Sequence, residues 1–277
     1  MRFGAHVPTR GSLVSAVDYA LSIGADAFQL FVSNPRAWAP PSLTADAAAA
    51  FRARRQEAGL GPVLVHSTYL INVASPDPGF LSRSIDLGRA ERETAEALGA
   101  EGLVVHAGAG GPGQRAAALE RAVNAVRAIA GTDSGPEVIL EVTAGGAGAV
   151  ASTIPQVAEL LQALDHARVG VCLDTSHLFA AGAPLDDPEG ARRTIDEVNV
   201  LGLAGRLRLV HANDARDPRG SRRDRHEHPG EGHIGEAGLR AVLSHPAVRR
   251  CAALVETRGA ADDHRRDVAT LRRLASV

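Results

Sequence analysis

The chain has 277 residues, of which 45% are hydrophobic and 22% charged, and its formal net charge is −2 at pH 7. This length and apolar content are sufficient for a large buried core, which excludes an intrinsically disordered chain. The slightly acidic balance argues against a protein that binds nucleic acid through a basic surface alone.

Eight short apolar runs rich in Val, Leu and Ile recur along the chain, and each predicts a β-strand. Their apolar character is nearly continuous, which is typical of strands that are buried on both faces. The predicted strands cover residues 2–7, 27–32, 63–66, 102–106, 137–142, 169–173, 207–211 and 253–256.

Helical patterns lie between these runs. The clearest has apolar residues at i, i+3, i+4 and i+7 spacing between Leu119 and Ala130. Thr153 and Gln156 predict a capping box, with Pro155 in the first turn of that helix. Three predicted helices stop at a glycine shortly before the next strand, namely Gly24, Gly59 and Gly99.

Strand followed by helix, eight times over, predicts an α/β fold, a (β/α)8 TIM barrel made by a single domain over residues 1–277. The alternative is a doubly wound open sheet, but no G-x-G-x-x-G motif opens the first predicted helix. Cys172 and Cys251 lie beside apolar runs and are expected to be reduced core residues, not a disulfide.

Polar residues stand at the carboxyl ends of six consecutive predicted strands, where the chemistry of such barrels is located. A lone histidine at a strand end is more often a hydrogen-bonded structural residue, and His6 on the first strand is either that or a phosphate contact. A run of such residues is different, because each one buried unpaired costs several kcal/mol. A shared cation would satisfy them together. The set comprises His66, His106, Glu141, Asp174, His177, His211 and Glu256.

The segment after the seventh strand adds two candidates. A loop of more than twenty residues between strand and helix is uncommon unless it is functional. In it, Asp224 and His226 form an Asp-x-His triplet that can place a carboxylate and an imidazole on one metal. The alternative interpretation is a solvated polar loop, which is also the interpretation for His228, His233, His245 and His264.

These nine nitrogen and oxygen donors exceed what one four- to six-coordinate ion can accept. Imidazole-rich sites suit zinc, although manganese or iron can occupy mixed sites of imidazole and carboxylate. A site with several metals and open positions suits phosphodiester hydrolysis, since it generates hydroxide at neutral pH and stabilises the attacking and leaving oxygens.

The chain resembles the endonuclease IV family of abasic-site endonucleases from end to end. Three stretches carry the resemblance: His66-Ser-Thr-Tyr-Leu-Ile-Asn-Val-Ala74, Gly170-Val-Cys-Leu-Asp-Thr-Ser-His177, and Asn213-Asp-Ala followed by Gly220-Ser-Arg-Arg-Asp224-Arg-His226-Glu. Glu141-Val-Thr-Ala-Gly-Gly and Glu256-Thr accompany them. Ala212 and Thr68 depart from the commoner family residues, but neither is a candidate ligand.

The resemblance implies three divalent metals, with zinc expected and manganese or iron as alternatives at some positions. It assigns one metal to His66, His106 and Glu141, a second to Asp174, His211 and Glu256 with Glu141 bridging, and a third to His177, Asp224 and His226. Glu256 and Glu141 are then the catalytic residues. A hydroxide that bridges two metals, oriented by Glu256, would attack the phosphorus. Three such ions add about +6 locally, which weakens the objection from net charge.

The implied substrate is double-stranded DNA with an abasic site or a blocked 3′ end, and cleavage 5′ to the site would leave a 3′-hydroxyl and a 5′-deoxyribose phosphate. Tyr69, Leu70 and Arg36 would enter the minor groove and base stack, so that the abasic nucleotide flips into the site. The alternatives are a buried loop anchor for Tyr69 and Leu70, and a solvated charge for Arg36.

Two rival functions remain at this point. A single-metal sugar isomerase or epimerase on the same barrel would use Glu141, Asp174, His211 and Glu256, but it leaves the other five donors unexplained. A protein that binds damaged DNA without cutting is the non-enzymatic rival. With no secretory signal or apolar run long enough to span a bilayer, we expect a cytoplasmic protein that has no membrane partner. The resemblance implies a monomer that acts on the nucleoid.

Overall fold

The computed structural model describes residues 1–131 and 134–276. Within them, the barrel strands are β1 (Arg2–His6), β2 (Ala27–Leu30), β3 (Val63–His66), β4 (Gly102–His106), β5 (Glu137–Glu141), β6 (Val169–Asp174), β7 (Leu207–His211) and β10 (Ala252–Val255). All pair in parallel with their neighbours, and β1 pairs with β10 to close the ring. The predicted (β/α)8 TIM barrel is therefore confirmed.

Helices surround the barrel and connect its strands. They are α1 (Leu13–Ser22), α2 (Ala45–Ala58), α3 (Pro78–Leu98), α4 (Arg115–Ala130), α5 (Ile154–Leu164), α6 (Thr175–Ala181), α7 (Pro188–Val200), α8 (Gly235–Leu243) and α9 (Ala261–Ala275). Two short strands, β8 (Asp214–Ala215) and β9 (His226–Glu227), form an antiparallel pair in the long segment after β7. Among the helices of the described residues, none has the length and apolar content to cross a bilayer.

The barrel strands are buried on both faces, as their continuous apolar runs predict. Their inner faces fill the barrel with Ala27, Leu64, Val104, Ile139, Cys172, Leu209, Ala252 and Leu254. Their outer faces pack with the helices in a second, larger core; Phe28 of β2, for example, contacts Phe51 of α2 edge-on. Cys172 and Cys251 are both buried and free, as expected.

Several strand ends differ by one or two residues from the prediction. β1, β2 and β5 end before Val7, Val32 and Val142, while β6 extends through Asp174. β10 ends at Val255, so that Glu256 is the first residue beyond the strand and not its last. These shifts keep every polar residue at the same end of the barrel.

The predicted helix signals are largely confirmed. Gly59 and Gly99 follow α2 and α3 directly with φ of 65° and 68°, a left-handed conformation that glycine adopts without strain. The capping box at α5 is a partial correction. Thr153 caps the backbone N–H of Gln156, but the Gln156 side chain accepts from Ser152 N–H, one residue before the expected partner.

Candidate metal centre and cleft

A layer of polar side chains lies on top of the apolar barrel interior. Because side chains alternate along a strand, the residue two positions beyond an interior residue faces the interior too. On seven strands, the residue two positions after the last apolar interior residue is polar. These residues are Gln29, His66, His106, Glu141, Asp174, His211 and Glu256. The same alternation that fills the core therefore directs these side chains towards one another.

Glu141 is at the centre of this layer and is fully buried. Its Oε2 lies 3.2 Å from His66 Nε2 and 3.3 Å from His106 Nε2. Its Oε1 lies 3.0 Å from His211 Nδ1 and 3.3 Å from His177 Nδ1. One carboxylate is thus shared by imidazoles from four segments of the barrel.

A second group of donors surrounds His211. Its Nδ1 lies 3.3 Å from Glu256 Oε2 and 3.8 Å from Asp174 Oδ2, in addition to its contact with Glu141. The four residues offer atoms that all lie within 4.8 Å of one another. Glu141 belongs both to this group and to the group of His66 and His106, so the two groups have this carboxylate in common.

The third group is completed by the long segment after β7. Asp224 Oδ1 lies 3.1 Å from both His177 Nε2 and His226 Nε2, and His226 Nε2 lies 3.5 Å from Asp174 Oδ2. The Asp224 side chain is 52% exposed, whereas His177 is buried at the start of α6. The structure therefore brings together all nine residues that the sequence singles out.

The tautomers of these imidazoles fit a metal better than a hydrogen-bond network. His66 Nδ1 and His177 Nδ1 lie 2.7 Å and 2.9 Å from the carbonyl oxygens of Ser67 and Val142, to which each donates its N–H. The Nε2 lone pairs then face the other donors. Within the described part of the chain, the buried Nε2 atoms of His177 and His226 make no well-aligned hydrogen bond, although each lies 3.1 Å from Asp224 Oδ1. Such orientation by an outer partner is the rule for metal-binding histidines.

The donor spacings also match ion coordination. Two ligand atoms bound about 2.1 Å from one tetrahedral ion lie about 3.4 Å apart. The separations between the ligand atoms around Glu141 and Asp224 range from 3.0 to 3.3 Å. The residues present thus fit divalent cations.

Electrostatics at Glu141 point to the same need for positive charge. Burial favours its neutral form, but the imidazoles of His211 and His106 hold the pKa of this carboxyl well below its usual range. Burial lowers the pKa of His66, yet the hydrogen bond to Glu141 and the charge of Glu256 raise it to about 9. The ionised carboxylates therefore attract a cation, whether it is a proton or a metal.

The third group shows the same balance. Burial opposes the charged form of His226, but Asp174 and Asp224 raise its pKa to about 9. Asp224 in turn has a pKa held below its usual range by His177 and His226, against the effect of burial. Metal binding replaces such protons, because imidazole must be neutral to coordinate an ion.

Cys172 lies beneath the centre, close enough to Glu141 and His211 to form a geometric donor group with them. Burial, together with the charges of Glu141 and Asp174, raises the pKa of this thiol well above its usual value. A protonated thiol is a poor ligand. We therefore assign Cys172 to the core.

Gln29 and Asn213 support the centre and were not singled out as site residues from the sequence. Gln29 Oε1 accepts from His211 Nε2 at 3.1 Å, and its Nε2 donates to Glu256 Oε1 at 2.7 Å. Asn213 donates to Asp174 Oδ2 at 2.7 Å and accepts from Glu256 N–H at 2.7 Å. A lone polar residue inside a buried strand was the signal available for Gln29.

His6 lies against the same support. Its Nδ1 is 3.0 Å from Gln29 Nε2 and 3.7 Å from Glu256 Oε1, and its ring contacts Phe31 with centroids 4.3 Å apart. Burial lowers the pKa of His6 despite the nearby Glu256. His6 is therefore neutral, and it borders both the donor groups and the cleft.

Of the four histidines interpreted as solvated loop residues, His233 is exposed, but His245 and His264 are buried and His228 is half-buried, so that interpretation is wrong for these three. His228 Nδ1 lies 2.8 Å from Asp267 Oδ2, and His245 Nε2 lies 3.0 Å from Asp196 Oδ1. His264 bonds to the Tyr19 hydroxyl at 2.8 Å.

Asp214 organises the long segment that carries Asp224 and His226. This fully buried carboxylate accepts four backbone N–H groups, from Ala215, Gly230, Ile234 and Gly235, at 2.8 to 3.1 Å. Two of them belong to the start of α8, where a negative charge is favourable. These bonds join the beginning of the segment to its end.

We predict that Asp214→Asn lowers the free energy of unfolding by about 2–3 kcal/mol, because an amide leaves buried N–H groups facing an N–H donor. Urea unfolding measures the change. Asp186→Asn is the control, since Asp186 is a partly exposed aspartate paired only at the surface with Arg219. Equal stability of the two variants would contradict this role of Asp214.

The centre opens into a cleft of about 710 Å³. Its lining includes His6, the donors His66, His106, His177, Asp224, His226 and Glu256, and also Arg36, Tyr69, Arg225, Thr257 and Arg258. Tyr69 is 59% exposed, which does not agree with a buried loop anchor, while Leu70 beside it is half-buried. Arg36 is exposed at the rim. Arg258 is a further exposed cation at the rim, and no sequence pattern indicated it.

Comparison with known proteins agrees with this architecture. A family model described as a xylose isomerase-like TIM barrel matches residues 17–274. A D-tagatose 3-epimerase-like protein superposes with a TM-score of 0.76 over 99% of this chain and 97% of its own, but at 19% identity, which shows the shared fold alone.

Other proteins are similar to this chain in sequence as well as in fold. The probable endonuclease 4 of Streptomyces coelicolor is 41% identical over 98% of this chain and 94% of its own length. That of Methanoculleus marisnigri is 40% identical over 99% of both chains. Endonuclease IV from Thermus thermophilus superposes with a TM-score of 0.88 at 32% identity, covering 99% of this chain and 98% of that one. The chain therefore belongs to the endonuclease IV family of enzymes, within the xylose isomerase-like TIM barrels.

Proposed function

We propose that this enzyme is a DNA repair endonuclease that hydrolyses the phosphodiester bond on the 5′ side of abasic sites with three divalent metals. The observation that carries the proposal is the set of three donor groups joined through Glu141 and Asp174 at the floor of one cleft. Membership of the endonuclease IV family supports it independently.

Each donor group would hold one ion. His66, His106 and Glu141 form the first site; Asp174, His211 and Glu256, with Glu141 bridging, form the second; His177, Asp224 and His226 form the third. The mixture of imidazole and carboxylate favours zinc, with manganese or iron as alternatives. When bound, such ions activate water and stabilise negative charge on phosphate oxygens.

Glu256 is the residue best placed to orient the attacking water. Its carboxylate is anchored by Gln29 at 2.7 Å, while 15% of the side chain stays exposed to the cleft. His211 lowers the pKa of Glu256 despite burial, so the group is an anion that can accept a hydrogen bond from the water that it orients. Glu141 contributes by holding the donor groups in register.

The cleft rim would bind the DNA. Tyr69 projects beside the donors and can fill the space of a flipped nucleotide, and half-buried Leu70 supports it. Arg36 and Arg258 offer guanidinium groups to the phosphates. This local positive charge, added to that of the ions, matters more for DNA than the net charge of −2.

The expected products are a 3′-hydroxyl and a 5′-deoxyribose phosphate, and the same site would remove blocking groups from 3′ ends. The enzyme would act as a monomer on the DNA of the nucleoid in the cytoplasm. Specificity for abasic sites arises because unstacking costs least where a base is missing.

A sugar isomerase or epimerase is the less favoured alternative. It would use Glu141, Asp174, His211 and Glu256 with one metal, but this leaves the paired contacts of Asp224 with two histidines without a purpose. The similarity to epimerase structures is confined to the barrel fold. A protein that only binds damaged DNA would not need an anchored, ionised Glu256 in the cleft.

A cleavage assay tests the proposal. We expect a duplex with one tetrahydrofuran abasic analogue to be nicked once, leaving a 3′ end that a polymerase extends. Chelation should abolish the nick, and added zinc or manganese should restore it. The same duplex with an intact base is the control. An uncut duplex, or cleavage that survives removal of the metals, would refute the proposed function.

A further inference from the structure

Glu91 is a buried carboxyl group outside the metal centre. It lies in the middle of α3 with no exposed surface, although its neighbours Arg92 and Glu93 face solvent at least in part. Both of its oxygens lie 3.3 Å from the backbone N–H of Thr68, and Oε1 also accepts from Ser33 Oγ at 3.1 Å. A carboxyl group from an outer helix thus bonds to the loops above the barrel.

The two partners of Glu91 belong to the two loops of the cleft rim. Ser33 lies in the loop after β2, three residues before Arg36, and Thr68 lies in the loop after β3, directly before Tyr69. The loops are also joined to each other, because Tyr69 N–H donates to the carbonyl of Pro35 at 3.1 Å. Glu91 therefore bonds to both loops close to a point where they contact each other.

Helix α3 anchors the first loop at its other end as well. Trp38 packs edge-on against Phe80 of α3 at 4.9 Å, and the Arg83 guanidinium lies 4.6 Å above the Trp38 ring. Arg36 is consequently held between two attachments to the same helix, one at Ser33 and one at Trp38. α3 itself packs against β3 and β4, which end in His66 and His106.

Burial of the Glu91 carboxyl costs free energy, which hydrogen bonds from the loops can offset. Burial raises the pKa of Glu91 to about 7, although Ser33 and Thr68 donate to it. An apolar side chain would fill the same space without this cost, but it could not accept from the two loops. The interactions that offset this cost are the hydrogen bonds to Ser33 and Thr68, and these bonds hold the loops.

We propose that Glu91 is a positioning residue that fixes residues 33–36 and 67–70 in the arrangement that binds the damaged duplex. This inference deepens the proposed function and rests on it for the identity of the ligand. The loops themselves are held whether or not DNA is the substrate. Two separate measurements can therefore test the two claims.

The first measurement is amide hydrogen exchange of the metal-loaded enzyme without DNA. In Glu91→Gln, which keeps only one acceptor oxygen, we expect peptides covering 31–38 and 66–71 to exchange at least about tenfold faster. Peptides from β5 and β6 should not change. Glu93→Gln is the matched control, because Glu93 lies two residues after Glu91 in the same helix but is exposed to solvent.

The second measurement is steady-state cleavage of the tetrahydrofuran duplex. Looser loops must be ordered on binding, so KM and the Kd for DNA should rise about tenfold while kcat stays within about twofold. Ser33→Ala removes one donor from the loop side and should have a smaller effect of the same kind. In the Ser33→Ala background, the effect of Glu91→Gln on KM should shrink, because the two residues share one bond.

The outcomes separate the inference from the proposed function. Unchanged exchange in both loops, or a fall of kcat with KM unchanged, would overturn the role of Glu91. A wild-type enzyme that does not cut the duplex would overturn the proposed function, while the exchange data would still decide whether Glu91 holds the loops. If Glu91→Gln does not fold, the Ser33→Ala exchange and KM values decide alone.

Discussion

Replacing Glu141 with glutamine is expected to empty two of the three proposed metal sites. The carboxylate lies within 3.3 Å of ring nitrogens of four histidines. It belongs both to the donor group of His66 and His106 and to the donor group around His211. Loss of an outer partner alone weakens metal binding about 10–100-fold, and loss of a shared ligand should weaken it more. Metal analysis after dialysis should fall from about three ions per chain towards one.

The same variant should lose cleavage in proportion to its metal content. His245→Ala offers a control, because it removes an imidazole that bonds to Asp196 far from the centre. If Glu141→Gln retains three ions per chain, Glu141 is not a bridging ligand. If the wild type contains about one ion per chain, the single-metal alternative gains instead.

Most of the candidate centre could be predicted from the sequence because its residues follow buried strands. A continuous apolar run that stops at His66, His106 or His211 signals both the strand and the polar side chain beyond it. In a barrel these ends converge, so position in the chain gives position in space. Asp224 and His226 were predictable from loop length and composition, but only the family resemblance placed them with His177.

The supporting residues were not predictable in the same way. Gln29 interrupts a buried strand, yet its partners in the donor groups, His211 and Glu256, lie more than 180 residues away in the chain. Glu91 lies in a helix rich in alternating charges, where a solvated face is the ordinary interpretation. Its burial depends on the loops that close over it. Contacts between distant segments need the fold to be known.

The geometry around Glu256 connects the fold to the last prediction. β10 ends one residue before it, and Asn213 holds its backbone N–H while Gln29 holds its carboxylate. Three separate segments therefore fix one side chain at the floor of the cleft. Such fixed orientation is what a group needs if it is to direct an attacking water.

We expect Glu256→Gln to bind the abasic duplex with nearly unchanged affinity while its single-turnover cleavage rate falls about 10²–10⁴-fold, the usual contribution of a positioned acid or base. Glutamine is close in size and keeps an acceptor for Gln29, but it lacks the negative charge that orients the attacking water. Glu227→Gln is the matched control, since Glu227 pairs with Arg216 beside the cleft and lies outside the donor groups. Binding is measured by fluorescence anisotropy, and metal content is measured on the same samples. Near-normal turnover in Glu256→Gln would exclude the proposed role, whereas a loss of all metal would reassign Glu256 to coordination alone.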